Sequence, residues 1–144
     1  MKSNTLRKIG KSGPEVTPVG IGAMSFTNFC GSCDDDQAHN VLKTALDLGI
    51  NHIDTSNVYG NGTSEERIGS FLAKQGKQAN NLFCIATKAA IYRDPETGVR
   101  GFNNTLVHLE DELDKSLARM NLDYIDLFYV HRRDPKTPIE DVTE

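Results

Sequence analysis

"INHIDTSNVYGNG", residues 50–62, carries two local codes in one stretch. "INHID" alternates apolar and polar side chains, as a half-buried strand does. "NVYGNG" holds the Asn and Gly residues of a turn. Asp54 stands at the seam, and Tyr59 follows on the loop. The fold turns on whether an apolar strand that ends on a polar group recurs along the chain.

It does recur. "TPVGIGAM" (17–24) reads as a short glycine-bearing strand, "NLFCIATK" (81–88) as an apolar strand ending on Lys88, and "DYIDLFYVH" (123–131) as a strand ending on His131. Helical patterns lie between them. In "DDDQAHNVLKTALDLG" (34–49), Asp residues cap the start, Ala38, Val41, Leu42 and Ala45 share a face, and Gly49 ends the helix. "SEERIGSFLAKQG" (64–76) offers Ser64 as N-cap, Glu65 and Glu66 at the positive end of the helix, and an Ile68, Phe71, Leu72 stripe. "NNTLVHLEDELDKSLARMN" (103–121) repeats Leu106, Leu109, Leu113, Leu117 and Met120 at three- and four-residue steps. Residues 1–16 read as a hairpin turning at Ser12–Gly13, and "IEDVTE" as the opening of a fourth helix.

Strand–helix alternation with apolar strands predicts an α/β fold with a parallel sheet. A doubly wound sheet would show G-x-G-x-x-G after its first strand, and "GIGAMS" supplies only the first glycine pair. A (β/α)8 TIM barrel places its active groups where strands end. Asp54, Lys88 and His131 are such groups, with Tyr59 on an adjoining loop. Each has a bland reading alone: a turn former, a solvated lysine, a surface histidine, a half-buried tyrosine. Parallel neighbours lie ~5 Å apart, however, so the four converge on one mouth.

Together they form a proton-delivery set. A phenol gives up its proton reluctantly at neutral pH, and an ammonium beside it stabilises the phenolate. A carboxylate holds that ammonium in place, and an imidazole can hydrogen-bond a substrate oxygen. Such a set protonates a carbonyl oxygen, while the carbon must receive a hydride. None of these side chains supplies one, so a cofactor is implied.

Composition narrows the classes. The chain has 144 residues, 25% of them charged, and a net charge of −4, which suits a globular domain and gives no basic face for nucleic acid. Its apolar runs are too short to span a membrane, and its N-terminus lacks a signal-peptide core. Cys30, Cys33 and Cys84, an odd number, point to a reducing, cytoplasmic setting. "CGSC" (30–33) has only His39 nearby as a further ligand, so neither zinc nor a required disulfide is expected.

"GINHIDTSNVYGNGTSEERIG" (49–69) resembles the first signature of the aldo-keto reductases: Gly, Asp-Thr-Ser, Tyr-Gly, Ser-Glu and Gly, in order and spacing. "IATK" (85–88) is similar to the family's lysine motif, and "LDYIDLFYVHRRDPKTPIE" (122–140) to its fourth strand with the catalytic histidine. The resemblance implies Asp54, Tyr59, Lys88 and His131 as a catalytic tetrad with Tyr59 as general acid. It also implies NADPH as cofactor, aldehydes or ketones as substrates, and Gly22, Ala23, Met24 and Asp54 as cofactor contacts. Phe26, Phe29 and Asn57 become candidate substrate contacts.

A (β/α)8 barrel takes roughly 250 residues. Residues 1–16 are therefore expected as a hairpin capping the barrel, and 17–144 as its first half, cut in the fourth helix. Most of the family's cofactor site lies in later strands, so the fragment alone is expected to be inactive. Its open edges are expected to invite self-association. Voltage-gated potassium channel β subunits resemble the same stretch, including "DPKTPIE", and act as regulators. In that group the strand-4 histidine is replaced by asparagine, so His131 favours the enzyme.

Overall fold

The computed structural model describes residues 5–143 apart from Pro95; residues 1–4 of the predicted hairpin and Glu144 lie outside the described residues. Arg7–Lys8 (β1) and Glu15–Val16 (β2) pair antiparallel. The turn between them closes with the Ile9 amide on the Pro14 carbonyl, at 3.0 Å. Asn51 ties this hairpin to the sheet: its Oδ1 accepts from the Thr17 amide at 2.8 Å and its Nδ2 donates to the Glu15 carbonyl at 2.9 Å. Asn51 precedes the strand His52–Asp54 (β4), so the hairpin lies at the strand end opposite Asp54.

Four parallel strands follow: Ile21–Gly22 (β3), β4, Cys84–Ala89 (β5) and, after a further hairpin, Leu127–Val130 (β8). Their order in the sheet, β3-β4-β5-β8, is their order along the chain. A doubly wound sheet reverses direction at a switch point. This one does not, which is the winding of a barrel. The fold is therefore the first part of a (β/α)8 barrel. The last strand pairs Lys88 with Tyr129 and Ala89 with Val130.

Helices cross between the strands: Asp35–Asp47 (α1), Thr63–Ala73 (α2) and Leu106–Met120 (α3), with the short Glu140–Thr143 (α4) at the end. The α1 start is a full capping box, Asp34 accepting from the Gln37 amide and Gln37 reaching back to the Asp34 amide. Ala38, Leu42 and Ala45 of α1, Ile68, Phe71 and Leu72 of α2, and Met120 of α3 close on Ile53 and Ile85 of the sheet. Each fully buried large side chain in this set contributes about 1.5–3 kcal/mol. Gly69 permits the α2–α3 crossing, because a Cβ there would stand 2.3 Å from the Arg119 carbonyl oxygen.

Four local expectations are corrected. Val41 is 48% exposed and Leu106 61% exposed, each lying off the face that reaches the sheet. Ser64 does not cap α2. The cap is Gly62, whose φ of 98° suits a residue without a Cβ, and Ser64 is buried inside the first turn. Glu65 stands in the first turn of α2 as read from the sequence, and its side chain is fully buried. The first strand is shorter than expected, since the chain turns into a 3-10 segment at Ala23–Phe26.

A second hairpin, Ile91–Arg93 (β6) with Arg100–Phe102 (β7), leaves the C-terminal end of β5. Its turn is organised by Asp94. The amide and hydroxyl of Thr97 and the amide of Glu96 hold its carboxyl below the usual value.

Candidate active site

Strand parity decides which side chains meet. The register pairs Gly22 with Asp54 and Asp54 with Ala86. Lys88, two residues beyond Ala86, shares that face, because side chains alternate along a strand. The Lys88 ammonium donates to Asp54 Oδ1, to the Thr55 carbonyl at 2.8 Å and to the Tyr59 hydroxyl at 3.5 Å. It also lies 5.1 Å from the centroid of the Tyr59 ring. The lysine side chain is 15% exposed and the Asp54 side chain 40%. Asp54 thus keeps an open flank while it fixes the ammonium.

His131 follows β8 and is pinned by its own amide, which donates to the Ala89 carbonyl at 2.7 Å. Its ring meets Tyr59 edge-on, centroids 5.8 Å apart and planes at 84°. Burial first, then the positive charges of Lys88, Arg132 and Arg100, push its pKa below the ordinary histidine value, with Asp54 opposing. The imidazole is accordingly neutral at neutral pH. The four tetrad residues predicted from sequence converge on one face of the strand ends.

The Tyr59 loop is held by its own hydrogen bonds. The Tyr59 amide donates to the Ser56 carbonyl at 3.1 Å, and the Ser64 amide donates to the Tyr59 carbonyl at 3.2 Å. Gly60, with φ of 60°, continues the loop, where a Cβ would meet Thr27 at 2.8 Å. These ties place the phenol above Lys88.

Other predicted contacts fall differently. Gly22 is exposed and Met24 half-buried, so both are open to a ligand. Ala23 is completely buried, and its carbonyl accepts from the Ser64 hydroxyl at 2.8 Å. Phe26 is 1% exposed and lies inside the helix–sheet core. Asn57 is nearly buried too. It is 7% exposed, and its Nδ2 donates to Glu112 Oε2 at 2.6 Å, anchoring the loop to α3. Burial raises the Glu112 pKa, but hydrogen bonds from Lys115 and Asn57 outweigh it and hold that carboxyl below its usual value. Phe29 lies apart, on a cavity of about 360 Å3 with Thr27, Asn28, Gly60, Thr63 and Arg67.

Three residues escaped the sequence reading. Ser56 Oγ lies 3.0 Å from His131 Nδ1; its signal was its place two residues after Asp54, on the same strand parity. Asn104 donates to the Arg132 carbonyl at 3.0 Å and so holds the exit of β8. Glu65 Oε1 accepts from Thr87 Oγ1 at 2.6 Å, and its Oε2 from Arg119 Nε at 2.6 Å. Neither Asn104 nor Glu65 stands in a pattern that announces burial.

Comparison with known proteins gives a consistent result. Residues 18–144 match the model of the aldo/keto reductase family. The chain is 39% identical over 136 residues to an aldo-keto reductase of Schizosaccharomyces pombe named for NADP(+), covering 94% of this chain and 39% of that protein. It is 32% identical over 135 residues to a probable voltage-gated potassium channel β subunit of Arabidopsis thaliana, covering 94% of this chain and 39% of that one. The holo form of an aldo-keto reductase from Bacillus halodurans superposes with a TM-score of 0.81 at 27% identity, covering 95% of this chain and 43% of that one. The chain thus spans about two-fifths of the length of the curated relatives it matches.

Proposed function

The chain belongs to the aldo/keto reductase family, and we propose that it carries the proton-transfer centre of an NADPH-dependent reductase of aldehydes and ketones. The observation that carries this reading is the Lys88 ammonium, which touches both Asp54 and the Tyr59 hydroxyl. Tyr59 gives its proton to the carbonyl oxygen of the substrate. Lys88 faces the phenol oxygen that loses the proton, and Asp54 keeps the ammonium in register. Neutral His131 hydrogen-bonds the same carbonyl oxygen and orients it.

The donor set fits a nicotinamide cofactor, because it moves a proton and contains no hydride source. NADPH, when bound, supplies the hydride to the carbonyl carbon. Gly22, Met24 and the open flank of Asp54 would hold it, with Ala23 contributing through its backbone alone. No described helix is long and apolar enough to cross a membrane. The free thiols of Cys30, Cys33 and Cys84 support a reducing, cytoplasmic setting. The β1–β2 hairpin, tied through Asn51, serves as the cap at the far end of the strands.

The test is Tyr59→Phe in the full protein that carries this chain, assayed by NADPH consumption with aldehydes. Turnover should fall by about 10²–10⁴-fold with NADPH affinity nearly unchanged. Near-normal turnover would sink the role of Tyr59. A second reading, a regulatory protein of the channel β type, is favoured by the Arabidopsis relative; no turnover in the wild-type protein, with NADPH still bound, would select it.

Residues 1–144 alone leave β3 and β8 as the edge strands of the described four-stranded sheet. Such edges invite pairing. The isolated segment should associate with itself and fail to reduce carbonyls. A monomer by sedimentation that binds NADPH tightly would overturn this part.

A further inference from the structure

We propose that Ser56 is a positioning residue that donates its hydroxyl proton to His131 Nδ1, so that the imidazole carries its own proton on Nε2. The inference rests on the reductase reading and specifies which face of His131 meets the substrate.

A neutral imidazole has one donor nitrogen and one acceptor nitrogen, and the partner of one decides the role of the other. Ser56 is fully buried, so its single hydroxyl proton must go to a neighbour. Three acceptors lie in reach: His131 Nδ1 at 3.0 Å, the Lys88 carbonyl at 3.3 Å and Asn57 Oδ1 at 3.4 Å. The Lys88 carbonyl already accepts the Asn57 amide at 3.2 Å. The Val58 amide points at Ser56 Oγ from 3.5 Å and takes up acceptor capacity on that oxygen. Among the described residues, His131 Nδ1 has no other hydrogen-bonding partner. The closest acceptor without a competing donor is therefore the imidazole, with Asn57 Oδ1 0.4 Å more distant.

The consequence is chemical. With Nδ1 as acceptor, Nε2–H is a donor on the remaining polar edge of a ring that stands edge-on to Tyr59. A carbonyl oxygen seated at the phenol can then accept from both groups. The opposite tautomer would present a lone pair to that oxygen and repel it. The main chain at His131 is fixed by its amide on the Ala89 carbonyl, and the ring is held between Ser56 and Tyr59. The low pKa of His131 keeps the ring neutral, the state in which the tautomer matters.

The experiment uses the full protein that carries this chain, labelled with 15N only at histidine. Long-range 1H–15N correlation reports which ring nitrogen bears the proton. Residues 1–144 hold four histidines, and the signals lost in His131→Asn assign the one of interest. The wild type should show Nε2–H with Nδ1 unprotonated. Ser56→Ala should lower the ratio of Nε2–H to Nδ1–H by about fivefold, the bias an ordinary neutral hydrogen bond provides. Ser56→Thr, which keeps the hydroxyl, should restore it. Nδ1–H in the wild type overturns the proposal without any variant, and so does an unchanged ratio in Ser56→Ala. Loss of carbonyl turnover in the wild type itself would instead defeat the reductase reading, and leaves the tautomer result to be judged on its own.

Discussion

Removing the Glu65 carboxylate tests how the site is braced. The carboxylate of Glu65 is 0% exposed, whereas the Arg119 side chain is 23% exposed. Its two oxygens are each taken at 2.6 Å, one by Thr87 of β5 and one by Arg119 of α3. Glu65→Ala leaves the fully buried Thr87 hydroxyl without its acceptor and the guanidinium without its counter-charge. Breaking a buried pair by deleting one partner costs about 3–5 kcal/mol, against a total stability of about 5–15 kcal/mol. Arg119→Ala should cost at least as much, because it strands the deeper of the two charges. Glu65→Leu with Arg119→Met removes both charges, and should recover most of the loss. The assay is urea denaturation followed by circular dichroism. If both single variants lose less than about 1 kcal/mol, the level of an exposed pair, the bracing argument is wrong.

His131, Cys84 and Gly69 give three further expected outcomes. His131 should titrate below the ordinary value by NMR. Since its folded pKa is depressed, the unfolded chain takes the proton first, so its contribution to stability falls as pH drops from about 6.5 toward the folded value; a midpoint above that of free histidine would contradict it. Cys84, its thiol pushed up to about 11 by burial and then by the Asp126 charge, should resist iodoacetamide at about pH 8.5 while exposed Cys30 is alkylated; equal labelling in peptide maps refutes this. Gly69→Ala should cost about 1–3 kcal/mol in denaturation, because the added methyl collides with the Arg119 backbone; a neutral variant would mean that the α2–α3 crossing relaxes freely.

Much of the site was legible because barrel strands are apolar until they end. Lys88 and His131 interrupt apolar runs and Asp54 closes an alternating one, and each ending is visible in the sequence. Residues that face the helices were harder to read. Helical spacing put Val41 with Ala38, Leu42 and Ala45, but the stripe that reaches the sheet is narrower than the spacing allows, and Val41 stays in solvent. Phe26 read as a loop residue near a pocket. The 3-10 turn at Ala23–Phe26 instead aims its ring inward, where Arg67 Nη1 donates to its carbonyl. The β6–β7 hairpin gave no signal because its three-residue strands carry Arg93 and Arg100 in place of an apolar alternation. Glu65 and Ser64 fit a helix start so well that nothing in the sequence hinted at their burial.

Strand alternation also explains why these unread residues cluster. Next to each tetrad member on a strand stands a polar neighbour turned the other way, or a backbone group, held by the helix layer. Thr55 follows Asp54, and its Oγ1 lies 2.8 Å from Ser64 Oγ in α2. Thr87 precedes Lys88 and is held by Glu65 of the same helix. Arg132 follows His131, and its carbonyl is held by Asn104, just ahead of α3. A displaced clamp therefore moves a strand end, and with it a group of the proton-delivery set, and the Ser64 clamp holds the Tyr59 carbonyl as well. Buried polar clamps specify one arrangement, because each unsatisfied alternative costs about 1–3 kcal/mol. That cost restricts the Lys88 ammonium to the narrow space between Asp54 and Tyr59, where a shift of one ångström would lose the 3.5 Å contact with the phenol.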